Sequence, residues 1–113
     1  MDSDNKYVSA DYLTNGIDLP KEDHELADGT LVRLRALSRA EVLRIQTVGK
    51  DKPLELERLT LAAGMVIPRM TAEQVATWQG NDPAGGDIGR VMEKIRDLSG
   101  LGEGAAKAAF PSS

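Results

Sequence analysis

Cysteine is absent from these 113 residues. Its absence excludes disulfides, thiol nucleophiles and thiolate metal sites, and fits a reducing cytoplasm. Aromatic side chains are scarce at 4%, so a core has to be built from Leu, Ile, Val, Met and Ala. Histidine occurs once, as His24, with no second imidazole to complete a metal site. No basic block is present, and the 14 Lys and Arg are outnumbered by 18 Asp and Glu, which argues against nucleic acid as the main partner. No apolar run approaches the ~20 residues that span a bilayer, so no membrane partner is expected. The opening Met1-Asp2-Ser3-Asp4 has neither the basic nor the apolar region of a signal peptide. What is present is 41% hydrophobic residues, enough for one modest domain and too many for a disordered chain.

Residues 54–78 organise that domain. Leu56, Leu59, Ala63 and Val66 recur at spacings of three and four, which defines one helical face. Leu54, Leu61 and Met65 define a second. A helix apolar on two sides is either central in its domain or covered by a partner. Pro68 ends it near Val66. Thr71 then caps a further helix, with Gln74 closing a capping box, Met70 and Val75 able to form a hydrophobic staple, and Trp78 on the side of Val75.

The remainder is read around this centre. Residues 1–20 form an irregular arm or a short edge strand, with a turn at Asn15-Gly16. Asp28-Gly29 between two extended runs signals a two-residue hairpin. That turn sets Leu26 opposite Leu31, His24 opposite Arg33 and Glu22 opposite Arg35, and sends Val32, Leu34 and Ala36 to the core face. Ser38, Glu41, Leu37 and Val42 repeat the capping box and staple, and Gly49 stops that helix. Asp51 and Pro53 favour the start of the central helix. The glycines and proline after Trp78 read as a loop, without the Lys or the spacing of a phosphate-binding loop. Asp87 is expected to cap a last helix, whose stripe is Ile88, Val91, Met92, Ile95 and Leu98, and Gly100 to end it. Residues 101–113 are a Gly- and Ala-rich tail that frays in isolation, with Phe110 able to dock. The fold class is α+β: a small N-terminal antiparallel hairpin or sheet packed on about four helices, as a single domain over residues 21–100.

No catalytic constellation is visible. Ser38 and Thr71 are explained as caps rather than nucleophiles, since no base is predicted nearby. Glu22, Asp23 and Glu25 lack the alternating oxygens and closing Glu of a calcium loop. Arg33 and Arg35 alternate with apolar residues as a solvated strand face does. The chain is therefore read as non-enzymatic, with no cofactor and no metal.

The order of elements carries a resemblance. The run from Thr30-Leu31-Val32-Arg33-Leu34-Arg35-Ala36-Leu37 into Ser38-Arg39-Ala40-Glu41 passes from strand into capped helix. It is followed by Ala62-Ala63-Gly64-Met65-Val66-Ile67-Pro68, by Met70-Thr71-Ala72-Glu73-Gln74-Val75-Ala76-Thr77-Trp78, and by Ile95-Arg96-Asp97-Leu98-Ser99-Gly100-Leu101. Over roughly residues 25–110 this series resembles the small tail assembly chaperones of long-tailed bacteriophages, especially those infecting actinobacteria. The resemblance implies a protein that acts in the cytoplasm of the infected host and is absent from the mature virion. It implies binding of the tape measure protein, a long and largely helical chain, which is kept soluble while tail tube protein is recruited around it. It also implies self-association or a frameshift-extended form of the same chain, and it offers no active-site residues to transfer. For such a client the residues proposed to make contact are Leu54, Leu61 and Met65, then Met70, Trp78 and Phe110, with the methionines as adaptable contacts. The rival reading is a structural virion component, a minor tail or head–tail connector protein, which mass spectrometry of purified virions would detect. A small regulatory domain is the third reading, and lacks a basic face for DNA.

Overall fold

The computed structural model describes residues 6–101. Within them the chain forms an α+β domain with a three-stranded antiparallel sheet and five helices. The first helix, α1 (Ala10–Asn15), lies in the arm expected to be irregular or a short edge strand. Ser9 caps it by accepting the Tyr12 N–H at 3.1 Å. The helix buries no side chain.

Strands β1 (Lys21–Glu25) and β2 (Leu31–Arg35) form the expected hairpin, but with a register one residue away from the expected one. The observed partners are Glu25 with Leu31, His24 with Val32, Asp23 with Arg33, Glu22 with Leu34 and Lys21 with Arg35. The cause is the turn. A two-residue turn of the type expected needs positive φ at both Asp28 and Gly29, and only Gly29 adopts it, at +89°. The connection is instead a three-residue loop. Leu26 N–H donates to the Thr30 carbonyl at 2.8 Å, and the Asp28 carboxylate accepts from both the N–H and the hydroxyl of Thr30. The Thr30 hydroxyl, more than any other group, holds the Asp28 carboxyl below its ordinary range. A one-residue slip exchanges the faces of a strand, so His24 turns inward. Val32, Leu34 and Ala36 are buried, as expected.

Helix α2 (Arg39–Val48) starts with the Ser38–Glu41 capping box and stops at Gly49. Helix α3 (Pro53–Gly64) has Pro53 in its first turn. Its N-cap is Lys52, and Asp51 precedes the cap at φ 61° without capping it. The helix was expected to run to Val66, yet it ends at Gly64, and Met65–Ile67 forms strand β3. There Met65 pairs with Leu34 and Ile67 with Arg33, across an irregularity, so β2 becomes the central strand. Gly64 allows the close approach of the last helix, since a Cβ there would lie 2.5 Å from Ile95 Cδ1.

Helix α4 (Ala72–Asn81) has the Thr71–Gln74 capping box and runs three residues beyond Trp78, where a loop was expected. Gln79 holds the extra turn to α3. Its amide nitrogen donates to Glu57 Oε1 at 3.0 Å and to the Leu54 carbonyl, while Arg58 Nε donates to its oxygen at 2.7 Å. Helix α5 (Asp87–Leu98) has Gly86 rather than Asp87 at its N-cap, and Asp82 supplies the acceptors for its first N–H groups. The Asp82 carboxylate accepts the N–H groups of Asp87 and Ile88, and lies so close to Gly86 that a Cβ would sit 2.6 Å from it. Asp87, freed from capping, accepts the Ala27 N–H at 3.0 Å and so ties the hairpin loop to α5. Gly100, at φ 77°, closes α5: its own N–H and that of Leu101 return to the carbonyls of Asp97 and Arg96. Leu34, Leu61, Val75, Val91 and Ile95 are the fully buried centre of the core. Residues 102–113, with the short helix expected from Ala105, lie outside the described residues.

Candidate functional site

Of the six residues proposed to contact a client, the five that lie among the described residues are not exposed together. Leu61 and Met65 are 0% and 4% exposed and belong to the core. Helices α2, α4 and α5 all pack on α3, so its second apolar side is covered from within the domain. Leu54, 61% exposed, is the one outward member of that side. Met70 and Trp78 are half-buried and pack against the core. Phe110 lies outside the described residues.

Other apolar side chains are exposed. Leu43 and Val48 on α2, about 140° apart around that helix, and Leu54 on α3 are solvent-facing, as are Leu31 on β2 and Ile67 on β3. Helices α2 and α3 meet at a tight corner, where a Cβ on Gly49 would come within 2.9 Å of the Leu56 backbone. Between α2, α3 and α5 lies an open cleft of about 240 Å³. Its apolar lining includes Leu37, Val42, Ile45, Leu56, Met92 and Leu101, and Arg96 also lines it. The hydroxyl of Thr60, a further lining residue, is satisfied by the Leu56 carbonyl at 2.8 Å. What such a cleft can take is an aliphatic or aromatic side chain from an amphipathic segment. The arm contributes a second apolar set, with Tyr7, Val8, Tyr12, Leu13 and Ile17 all exposed. The sequence signal available for α1 was its N-cap, Ser9; the four-residue spacings Val8–Tyr12 and Leu13–Ile17 each run beyond an end of the helix. Leu43 and Val48 on α2 do not share a spacing of three or four.

A polar cleft lies where β2 runs into α2, lined by Arg35, Ser38, Glu41 and Arg44 together with Asp18 and Lys21 from the arm side. Arg35 grips Glu41 with both guanidinium nitrogens, at 2.9 and 2.6 Å, and also donates to the Ala36 carbonyl. Glu41 further accepts the Ser38 N–H at 2.9 Å. These bonds, that from Arg35 foremost, pull the Glu41 carboxyl down to about 2. The pair is occupied with joining strand to helix. Among the described residues, no group of three or more His, Asp or Glu side chains is placed to hold a metal ion. No helix of the described residues is long and apolar enough to cross a membrane. His24 sits on β1 with its Nε2 enclosed and without a hydrogen-bond partner, which follows from the register and not from a visible site.

No family model, no curated protein and no solved structure matches the chain.

Proposed function

We propose that this chain is a tail assembly chaperone of the long-tailed phage type, which binds a tape measure protein, keeps it soluble and helps recruit tail tube subunits in the host cytoplasm. The observation that supports the reading is the open apolar cleft between α2, α3 and α5, with exposed aliphatic side chains on the helices that wall it. Leu43, Val48 and Leu54 are exposed on α2 and α3, which contribute Ile45 and Leu56 to the cleft. A chaperone for a helical client needs apolar surface that it can cover reversibly, and contacts of this kind accept the apolar stripe of a helix. The client surface is therefore assigned to Leu43, Val48, Leu54 and the cleft, in place of the buried Leu61 and Met65.

Co-expression with the tape measure protein encoded near this chain tests the proposal. The expected result is a tape measure that stays soluble and co-purifies only when this chain is present. Leu43→Asp with Leu54→Asp is expected to abolish co-purification while the far-ultraviolet circular dichroism is retained. A tape measure protein indifferent to this chain would sink the reading, as would stoichiometric retention of this chain in purified virions.

A further inference from the structure

The structure leaves β1 as an open edge with a defined chemistry. Leu26 N–H donates to Thr30 and Ala36 N–H to Pro20, both at 2.8 Å. Within an antiparallel ladder these bonds alternate, so in the observed register the peptide groups of Glu22 and His24 face β2. Those of Lys21, Asp23 and Glu25 face outward. These three residues are exposed, and among the described residues the sheet order β1-β2-β3 places no strand beyond them. The opposite edge, β3, is three residues long, pairs irregularly and stops before Pro68, which makes it the poorer template.

We infer that β1 pairs antiparallel with β1 of a second copy of this chain, about a two-fold axis at Asp23, joining two three-stranded sheets into one. The strand Lys21-Glu22-Asp23-His24-Glu25 is self-complementary in that arrangement. Lys21 falls opposite Glu25 of the second copy, and Glu25 opposite its Lys21, with each pair drawing on outward-facing peptide groups. Glu22 falls opposite His24. Asp23 meets its own copy, but each Asp23 carboxylate is held by Arg33 of its own chain at 2.7 Å, which offsets the like charges. This register uses every outward peptide group of the strand. Moving it two residues in one direction sets Asp23 against Glu25, acid on acid. Moving it the other way leaves Glu25 beyond the partner strand. Such two-fold pairing is the isologous contact commonest among soluble oligomers, and it depends on no particular client.

Sedimentation equilibrium of the whole chain over a dilution series tests this, with amide exchange by NMR on the same samples. The expected result is a mass that doubles as concentration rises, with the N–H groups of Lys21, Asp23 and Glu25 exchanging more slowly in the dimer. Lys21→Glu alone, and Glu25→Lys alone, each weaken association about tenfold or more, because symmetry counts every reversed pair twice. The double variant Lys21→Glu with Glu25→Lys restores association. A monomeric mass at every concentration overturns the inference. So does a dimer indifferent to the single charge reversals, or one in which these three amides exchange as freely as in the monomer. Should a single variant fail to fold, the double variant and the exchange of the unaltered chain decide the matter.

Discussion

The two halves of this molecule are held by different physics. In the helical half, α3 lies among α2, α4 and α5, and Leu61, Val75 and Ile95 are wholly buried. In the hairpin half, β1 buries none of its five residues fully, and its joints are ionic. Asp23 pairs with Arg33 at 2.7 Å, Glu22 with Lys94 at 2.6 Å, and Arg35 at the end of β2 with Glu41 at 2.6 Å. The comparison teaches that apolar periodicity locates the first half, whereas the partners in the second depend on register. A packed core tolerates little loss of volume, while exposed ion pairs contribute little and lose strength in salt.

Five substitutions, one of them used in a double variant, test this division in descending order of effect. Leu61→Ala, at the centre of the helical half, is expected to cost about 3 kcal/mol in urea unfolding, independent of salt. A cost below about 1 kcal/mol would mean that α3 is not central. Gly64→Ala forces a Cβ against Ile95 Cδ1 and is expected to cost about 1–3 kcal/mol. Ile95→Val removes that methyl carbon, so the double variant is expected to be more stable than the sum of the single effects predicts. Strict additivity would place the strain elsewhere.

Glu41→Gln probes the polar half and carries a pH signature. The folded carboxyl is depressed to about 2 from an ordinary 4.5, so its stabilisation is fully present above about 4.5 and is lost as the pH falls toward 2. After solvent screening the expected cost at neutral pH is about 1–2 kcal/mol. The variant should show a shallower loss of stability across that acid range, read from thermal melts in buffers of fixed ionic strength. An unchanged slope would remove Glu41 from the joint. The smallest effect is expected from His24→Leu. In the observed register the imidazole turns to the core side with Nε2 unpartnered, so an apolar replacement is neutral or stabilises by up to about 1 kcal/mol. In the two-residue turn register His24 would face solvent beside Arg33, and the same replacement would expose a leucine and gain nothing.

Much of the helical half was legible in the sequence. The capping boxes at Ser38 and Thr71 occur as read, because each is complete within four consecutive residues. The stripe Ile88, Val91, Met92, Ile95 and Leu98 faces inward, and Gly100 ends the helix. The misreadings share a cause. Asp82 accepts the first N–H groups of α5 from across a loop, and Gln79 extends α4 by bonding to α3, so neither role is present in the local pattern. Two of the proposed client residues, Leu61 and Met65, are buried for the same reason. Leu61 and Met65 repeat like an exposed second face, yet three neighbouring helices surround α3, and nothing within α3 counts them. The arm shows the converse: the cap at Ser9 was readable, but the exposure of its apolar side chains was not.

By itself the sequence determined the α+β class, the approximate positions of the main helices, the capping boxes of α2 and α4, the identity of β2 as the strand that faces the core, and the lack of cysteine chemistry. These rest on contacts between residues a few positions apart, where the chain has few alternatives. The hairpin register, the third strand at Met65–Ile67, the burial of both sides of α3 and the open edge of β1 were settled by the folded molecule. Each depends on which distant groups compete for the same peptide bond or the same volume. That competition turns on differences as small as the φ of Gly29 or the methyl carbon of Ile95 that Gly64 makes room for.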